Sequence, residues 1–417
     1  MHPILLESSP TRRAQHGDII SFGANSSRIF RSWGSGRTSV EQKLDPICHH
    51  STGLEFRTFD DEVLVTQVWG DEEGGWGKRF NGHRGEIHGV VWDYAVEVGV
   101  EIRLGSKVVE YFEDEDGAGV VVLENSSSGG EEGEERVVRL RGDVVIAADG
   151  VRSKARSCVL GVEDRPVSSG YAVYRAWMDD TDKLREDPRT AWLVADPNVD
   201  QHVGWLGPDV HFLVATLQRG TKCSWVLTHK DDADILESYS ERGTVEGALG
   251  AIPGWSEVCH AIIRATPEES LVDWKLVFRE PLPTWISGKG RIALIGDAAH
   301  PFLPTSIQGA SQAMEDGVTI AVCLERAFAK VGGGEGVKPG KNVPEALAAF
   351  QKIRYDRVLA IQRTGITNRD QWHKADFDEV RKNPEIVKLP RHEWILNFDA
   401  QQHAYDVYDE TVKELEK

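Results

Sequence analysis

Two short apolar runs, each ending in a turn with an aspartate beside a glycine, constrain the fold of this chain most. The run Asp-Val-Val-Ile-Ala-Ala-Asp-Gly ends at Gly150, and the run Arg-Ile-Ala-Leu-Ile-Gly-Asp ends at Asp297. Continuous apolar runs of this length are typical of parallel strands that are buried on both faces. They predict an α/β nucleotide-binding core whose two parts lie on either side of a long insertion.

The insertion and the chain ends complete the predicted organisation. Residues 170–227 are rich in aromatic and β-branched residues, which is typical of an antiparallel sheet. We predict a long helix from Gln308 to about residue 330, and helix from Pro344 to the end of the chain. The predicted regions are the first part of the nucleotide-binding domain (1–165, with a strand pair near 52–70 that belongs to the insertion), a β-rich substrate-binding domain (166–285), the second part of the nucleotide-binding domain (286–375) and a helical tail (376–417).

Composition and charge exclude several classes of partner. The net charge is −19 at pH 7, so the chain should repel nucleic acids and anionic membranes. The sequence shows neither a secretory signal nor an apolar stretch long enough for a membrane span. Its five cysteines are widely spaced and form no CxxC motif, which predicts reduced thiols, a cytoplasmic location and no metal site.

The turn at Asp297 and the predicted helix start at Gln308 carry the strongest chemical signal. Gly296 lets another group approach the end of the buried strand, and the Asp297 carboxylate can accept hydrogen bonds from ligand hydroxyls. Gly309 and Ala310 then open the helix, where free backbone amides can bind an anionic oxygen or a carbonyl. A strand–turn–helix unit with a packing glycine is the alternative interpretation.

The stretch Gly-Asp-Ala-Ala-His-Pro-Phe-Leu-Pro-Thr, with Gln-Gly-Ala-Ser-Gln-Ala-Met-Glu-Asp after it, resembles the second FAD motif of the class A flavin monooxygenases. The sequence is similar to salicylate hydroxylases and to hydroxylases of fungal secondary metabolism, from about Ile4 to about His373. The resemblance implies an α/β fold: a Rossmann-like FAD-binding domain of the p-hydroxybenzoate hydroxylase type, interrupted by a mostly antiparallel β substrate domain, with C-terminal helices. It also implies that Asp297 binds the ribityl chain and that the backbone of Gly309 and Ala310 lies near the isoalloxazine ring.

A second motif of the same family lies at the end of the first apolar run. Asp149, Gly150 and Arg152 stand in a stretch that resembles the family's Asp-Gly motif. The resemblance implies contacts with the pyrophosphate region of FAD and a part in NAD(P)H binding, to which Arg152 brings positive charge. A turn at a strand end with a solvated arginine is the alternative.

The start of the chain resembles the family less closely. Arg84 begins a predicted helix where the family has a flavin-contacting arginine. Glu7 ends a short strand, predicted to be buried, where the family has the acid that binds the adenosine ribose, and Gly17 lies in the loosely similar stretch after it. The family's G-x-G-x-x-G fingerprint is not found before Glu7. We therefore expect that one strand and one helix are missing from this sequence, and that a chain without them binds FAD weakly.

Arg175 is the candidate catalytic residue. It lies in a predicted strand, at a position where many fungal relatives carry an arginine that can polarise a phenolate or a substrate carbonyl. A strand arginine paired with an acid is an equally good interpretation. The tyrosine that relatives often place on a later strand is absent, since Ala215 and Thr216 stand near that position. Ile307 replaces a glycine that is common before the Gln-Gly pair, which predicts a stiffer loop.

The resemblance implies a monooxygenase with non-covalent FAD, which uses NADPH or NADH and O2 to hydroxylate an aromatic small molecule of phenolic or polyketide-like type. The flavin would carry the oxygen chemistry, while the protein positions the substrate and excludes water. One alternative is an epoxidase, a Baeyer–Villiger-type oxygenase or an oxidase on the same scaffold. Another is a non-catalytic remnant that binds no flavin. The sequence leaves open the substrate, the choice of nicotinamide cofactor and the oligomeric state.

Overall fold

A computed structural model describes residues 2–12, 18–70, 74–125, 135–161, 166–231, 242–331 and 342–417. Within these ranges the strands, in chain order, are β1 (Ile4–Leu6), β2 (Ile19–Phe22), β3 (Gly53–Thr58), β4 (Val63–Val68), β5 (Phe80–His83), β6 (Glu101–Arg103), β7 (Ser106–Glu113), β8 (Ala118–Asn125), β9 (Glu135–Gly142), β10 (Val145–Ala147), β11 (Val167–Met178), β12 (His202–Gly207), β13 (Val210–Leu217), β14 (Lys222–Lys230), β15 (Leu271–Phe278) and β16 (Ile292–Leu294).

The α-helices are α1 (Ala24–Ser32), α2 (Val40–Leu44), α3 (Arg84–Glu97), α4 (Ala155–Leu160), α5 (Asp182–Glu186), α6 (Val245–Gly250), α7 (Glu257–Ala265), α8 (Gly309–Val331), α9 (Val343–His373), α10 (Phe377–Lys382), α11 (Glu393–Leu396) and α12 (Ala400–Leu415). Two short 3₁₀ turns, Gly296–Ala298 and Pro304–Ser306, lie between β16 and α8. Among the described residues, no helix combines the length and apolar character that a membrane crossing requires.

The largest sheet has seven strands in the order β15-β11-β14-β13-β12-β3-β4. Its neighbouring strands are antiparallel, except that β12 pairs with β3 in parallel. Strands from early in the chain thus complete a sheet that is otherwise formed by the later, β-rich part. Because successive side chains along a strand point to opposite faces, the two faces of this sheet pack against different elements. One face packs on α6 and α7 through a core that includes Tyr174, Trp205, Trp225 and Ile262.

Two separate pairs of parallel strands form the α/β part. β10 pairs with β16, and this pair belongs to a core with α8, α9 and α12 that includes Leu294, Ile320, Phe350 and Tyr408. β1 pairs with β6. The prediction that β1 is a buried strand is wrong as to burial, because Ile4 is 44% exposed and β6 is its one partner among the described strands.

The prediction of helix from Pro344 to the chain end is only partly correct. α9 ends at His373, and three shorter helices follow it. Pro384 and Pro390 lie in the connections between them, where a residue without a backbone N–H cannot continue a helix. A mixed α/β chain with a large, mostly antiparallel sheet and C-terminal helices agrees with the fold class predicted from the sequence.

A pair of buried histidines joins the large sheet to the end of α9. His211 Nδ1 lies 2.7 Å from His373 Nε2, and the His373 ring packs 4.9 Å from that of Tyr171. Burial, together with the charge of Arg369, lowers the pKa of His373 to about 4. Asp209, Asp370 and Lys230 are the other charged groups that act on it.

We expect His373 to make the protein less stable in acid. Between pH 6.5 and about 4 the unfolded chain binds a proton that the folded protein excludes, so the free energy of unfolding falls as the pH falls. From pH 7 to pH 5 the contribution of His373 is on the order of 2 kcal/mol. Urea denaturation at both pH values should therefore show a smaller loss for His373→Gln than for the unmodified chain. The exposed His392, replaced by Gln, is the matched control, and an equal loss in all three proteins would contradict the assignment.

Candidate functional site

The turn that carries Asp297 is held in place from two sides. Gly296 has φ 56°, a left-handed conformation that favours glycine, and its N–H donates to Asp316 Oδ2 at 2.9 Å. On the other side, the buried guanidinium of Arg156 donates to the backbone carbonyls of Asp297 and Ala298 at 2.9 and 3.0 Å. The backbone of the turn is therefore fixed independently of any ligand.

The Asp297 carboxylate can still accept hydrogen bonds. Within the described ranges, hydrogen bonds reach the backbone oxygen of Asp297 but not its carboxylate. The side chain reaches solvent, yet protein surrounds much of it, so desolvation raises its pKa against the opposing charges of His300, Arg156 and Arg279. A partly desolvated carboxylate with unused acceptor positions suits the hydroxyl groups of a polyol.

The N-terminus of α8 begins close to the same turn. Gly309 and Ala310 are its first two residues and are half-buried, and the first amides of a helix have no partner within the helix. Gln308 Oε1, just before the helix, accepts from Asn25 Nδ2 and Gln312 Nε2 at 3.1 Å each. The start of α8 is thereby tied to the start of α1.

A buried charge network lies behind these turns. Glu315 and Asp316 are adjacent on α8, and both are fully buried. Arg354 Nη1 donates to Glu315 at 2.5 Å and Arg354 Nε to Asp316 at 2.9 Å, while Arg357 contacts Glu315 at 2.9 Å. Burial by itself raises the pKa of both carboxyls, but Arg354, with Arg357 for Glu315 and His300 for Asp316, holds each below its usual value.

Glu7 and Arg84 both act on His88 of α3. Glu7 follows β1, and its Oε1 accepts from the N–H of Ser9 at 2.7 Å. Arg84 is the exposed first residue of α3. Burial lowers the pKa of His88, Arg12 and Arg84 lower it further, and Glu7 raises it, so these groups share one neighbourhood. Gly17 lies outside the described residues.

The second motif forms a capped turn. Asp149 Oδ2 accepts from the N–H groups of Lys154 and Ala155 at 2.8 and 3.2 Å, which stabilises the start of α4. Gly150 has φ 77°, again in the left-handed region. Arg152 is exposed, and in the part of the chain that the structure describes its guanidinium has neither a hydrogen-bond nor an ion-pair partner, which leaves it available to a ligand phosphate.

Arg175 lies on the face of the large sheet opposite α6 and α7. Its side chain is 23% exposed and forms an ion pair with Asp18, the residue before β2. Arg175 is thus paired with an acid, as one interpretation of the sequence predicted. The guanidinium also lies 5.4 Å from the ring of Trp274. The ring of His83 lies 4.6 Å from that of Trp177. His83 precedes Arg84, and Trp177 is two residues from Arg175. The start of α3 therefore lies beside the part of β11 that carries Arg175.

A half-buried apolar strip runs across the sheet beside Arg175. Val272 and Val226 pair with Arg175 on either side, and Leu213 pairs with Val226. Leu303, from the loop between Asp297 and α8, packs in one cluster with Val226 and Trp274. The strip therefore lies against the loop that leads to the start of α8.

Ala215 and Thr216 cannot supply the missing tyrosine hydroxyl. Ala215 packs with Trp177 and Ile19, while Thr216 Oγ1 accepts from the N–H of Gln201 at 2.8 Å. On β13, Leu213 is the residue aligned with Arg175 across the sheet, because both pair with Val226 of β14. The described residues also contain no group of three or more His, Cys, Asp or Glu side chains placed to hold a metal ion.

Four charged residues of this region were not predicted from the sequence: Asp18, Arg156, Arg354 and Arg357. Arg354 does leave a signal, because it interrupts the buried apolar stripe of α9 between Phe350 and Val358, where a charge must have a buried partner. Asp18 leaves none, because its partner is far away in the sequence.

Curated proteins resemble this chain over nearly its whole length. FAD-dependent monooxygenase fmqB of Aspergillus fumigatus is 33% identical over 411 residues, which cover 96% of this chain and 92% of that protein. Asperlicin C monooxygenase of Petromyces alliaceus is 35% identical over 413 residues, which cover 96% of this chain and 82% of that protein. None of the protein-family models matches the chain.

Solved structures share the fold. The crystal structure of CtdE in complex with FAD and substrate has a TM-score of 0.85 at 29% identity and covers 100% of this chain and 94% of that one. A salicylate hydroxylase substrate complex has a TM-score of 0.71 at 22% identity and covers 97% of both chains. The second likeness concerns the fold alone.

These findings define a flavoprotein monooxygenase with a p-hydroxybenzoate hydroxylase-like fold. The chain belongs to the FAD-dependent monooxygenases and resembles those of fungal secondary metabolism. Family, fold class, enzyme class and FAD as cofactor are thereby confirmed, as are O2 and a small molecule as reactants. The comparisons favour the enzyme over the non-catalytic remnant.

The loop before α8 contains a strained residue. Ile307 has φ 54°, and a β-branched side chain in the left-handed region costs about 1–3 kcal/mol. Glycine removes this strain but adds about 0.5–1 kcal/mol of unfolded-state entropy. We therefore expect Ile307→Gly to raise the free energy of unfolding by about 1 kcal/mol, measured by urea denaturation. Ile307→Val keeps the branched carbon and should give no gain; a loss of stability in the glycine variant would show that Ile307 is not strained.

Proposed function

We propose that this chain hydroxylates a neutral aromatic small molecule with NADPH or NADH and O2, and that Arg175 contacts the substrate. The observation that supports this most directly is the Arg175–Asp18 ion pair on a half-buried apolar strip that faces the loop before α8. A strip of this kind can bind a flat apolar ring, and a guanidinium beside it can bind a carbonyl or phenolic oxygen.

The residues around the Asp297 turn fit FAD. Among the described residues, no hydrogen bond reaches the Asp297 carboxylate, which can therefore accept from ribityl hydroxyls. The first amides of α8, at Gly309 and Ala310, have no partner within the helix and can bind a ring carbonyl. Arg152 is exposed and can bind phosphate oxygens. We assign these four residues to FAD on the basis of their free donors and acceptors.

The remaining cofactor assignments rest on position. Glu7 follows a parallel strand, where a carboxylate can accept from ribose hydroxyls, and Arg84 opens α3 nearby. Gly150 gives the backbone of the second motif its left-handed turn, and Asp149 holds that turn to α4. In this proposal, Asp149 and Gly150 fix the position of Arg152 near the FAD phosphates. Gly17 keeps the assignment made from the sequence.

Asp18 makes a neutral substrate more favourable than an anionic one. Its carboxylate already neutralises the guanidinium of Arg175. The other residues of the strip, Val272, Val226 and Leu213, are apolar. A substrate carboxylate would have to displace Asp18 or remain unpaired in a partly desolvated site, which is costly. A carbonyl or hydroxyl oxygen can accept a hydrogen bond from Arg175 without displacing Asp18.

Bound FAD, once reduced by NAD(P)H, supplies the activation of O2. The residues of the chain position the substrate and keep water out. Arg175 donates to the substrate oxygen and stabilises negative charge that develops there, while Asp18 fixes the orientation of its guanidinium. Trp274 and Leu303 cover the apolar strip on the side of the loop before α8, which limits the access of water.

The function is tested with purified protein, FAD, labelled O2 and a panel of aromatic compounds. We expect NADPH or NADH to be oxidised faster when a neutral multi-ring compound is present, and the product to gain one labelled oxygen atom. A matched set that differs only by an added carboxylate tests the preference for neutral substrates. Faster turnover of the carboxylate series would refute that preference, and hydrogen peroxide without labelled product would indicate an oxidase.

Asp297→Ala should weaken FAD binding by about tenfold or more, because hydrogen bonds to a charged acceptor contribute roughly 1.5–3 kcal/mol. Titration of the protein with FAD, followed by flavin fluorescence, measures this change. Asp297→Asn keeps one acceptor oxygen, so its FAD affinity should lie between those of Asp297→Ala and the unmodified chain. Unchanged FAD affinity in Asp297→Ala would remove Asp297 from the cofactor site.

Arg175→Ala should lower kcat by roughly 10²–10³, the usual effect of losing one donor to a developing charge, with little change in FAD affinity. Asp18→Asn should lower kcat less, because the guanidinium stays in place but is less well oriented. Arg175→Lys keeps the charge and serves as the matched variant. If Arg175→Ala turned over substrate at the normal rate, Arg175 would have a structural role only.

A further inference from the structure

We propose that Arg357 is a positioning residue of the FAD site, and that it acts by fastening residues 393–398, the C-terminal clamp, to the buried carboxylate of Glu315. This inference rests on the proposed FAD site around Asp297. From the sequence, only a helical tail was predicted at this end of the chain.

Arg357 links three parts of the chain with one guanidinium. Its Nε and Nη2 each lie 2.9 Å from an oxygen of the Glu315 carboxylate, a bidentate contact. Its Nη1 donates to the carbonyl of Trp394 at 2.6 Å, and its Nη2 also donates to the carbonyl of Ile395 at 3.0 Å. The guanidinium stacks 3.7 Å from the ring of Phe398. Three contacts, to Trp394, Ile395 and Phe398, therefore fix the clamp against α9.

Glu315 carries this restraint to both helix starts that face the proposed FAD site. Besides Arg357, its carboxylate accepts from Asn25 Nδ2 at 2.6 Å and from Gln312 Nε2 at 3.1 Å. Asn25 lies at the start of α1, and Gln312 also binds the side chain of Gln308, which precedes α8. A shift of Glu315 would therefore move the residues that place the first amides of α8.

The network also reaches the turn that carries Asp297. Arg354 bridges Glu315 to Asp316, and Asp316 accepts from the N–H of Gly296 at 2.9 Å. Arg354 and Arg357 are the arginine partners of Glu315, while Arg354 and His300 contact Asp316. Removing the charge of Arg357 leaves Glu315 with one arginine, which it shares with Asp316, so the contacts to Asn25 and Gly296 have to readjust.

The clamp also touches the site directly. A Cβ built on Gly23, the residue before α1, would lie 3.3 Å from Leu396 Cδ2 and 3.2 Å from Gln308 Nε2. Leu396 thus packs where the starts of α1 and α8 meet. Arg28 of α1 contacts Asn397, a second attachment of the clamp to the same helix.

The test compares Arg357→Gln with Arg363→Gln in the full chain. Arg363 is on the same helix, is exposed and has no hydrogen-bond or ion-pair partner in the described ranges, so it is the matched control. The FAD dissociation constant is measured by flavin fluorescence, together with the shape of the visible absorption band of bound FAD. We expect Arg357→Gln to weaken FAD binding by about tenfold and to change the band, and Arg363→Gln to do neither.

A purely structural arginine would give another pattern. Loss of global stability lowers the unfolding temperature but leaves the affinity of the folded protein for FAD unchanged. Thermal unfolding without FAD, followed by circular dichroism, identifies that case. Arg357→Lys keeps the charge but has three donor hydrogens for the four hydrogen bonds that Arg357 makes, and it should recover part of the FAD affinity. A folded Arg357→Gln variant with FAD affinity within twofold of the unmodified chain would overturn the proposal, as would failure of both Arg357 variants to fold.

The FAD affinity of Asp297→Ala is measured in the same experiment, to distinguish a failure of the proposed FAD site from a failure of the proposed role of Arg357. If Asp297→Ala loses FAD while Arg357→Gln keeps it, the FAD site stands and the role of Arg357 is refuted. If neither variant loses FAD, the site assignment itself fails, and the inference on Arg357 fails with it.

Discussion

The buried pairing of Glu315 and Asp316 with Arg354 is the interaction on which the α/β part of this structure depends. Two adjacent carboxylates without solvent contact would be strongly unfavourable alone, so the fold has to bring arginines from α9 against α8. Once paired, the carboxylates have acceptor positions left for the N–H of Gly296 and the side chain of Asn25. The interaction that relieves the buried charge therefore also fixes the turns around the proposed FAD site.

The large sheet contributes a different kind of constraint. Its face on α6 and α7 is closed by an apolar core, whereas its other face keeps a half-buried strip beside Arg175. That strip is bordered by Leu303 from the loop before α8 and by Asp18 from the segment before β2. A monooxygenase needs its substrate between the flavin and a wall that excludes water, and we propose that this face of the sheet is that wall. The sheet fixes the position of Arg175, and Asp18 neutralises the charge of its guanidinium.

Much of the fold could be predicted from the sequence, because its signals are local. The apolar runs before Gly150 and Asp297 are the parallel strands β10 and β16, and the helix predicted from Gln308 is α8. The predictions that failed depended on neighbours: β1 has the composition of a buried strand but is exposed, and the predicted C-terminal helix is interrupted beyond His373. Burial is a property of what packs against a strand, so no pattern within three residues can determine it.

The sequence by itself determined the family and predicted which residues bind FAD, because the motif around Asp297 combines a strand end, a glycine turn and a helix start within one short stretch. Only the tertiary structure decided the partners of charged side chains. The sequence did not show that Asp18 is the partner of Arg175. Nor did it show that Arg357 connects the C-terminal clamp with the helix that follows the Asp297 motif. The physical reason is that a charge in a folded protein acquires its role from the groups that surround it, and these groups come from segments far apart in the sequence.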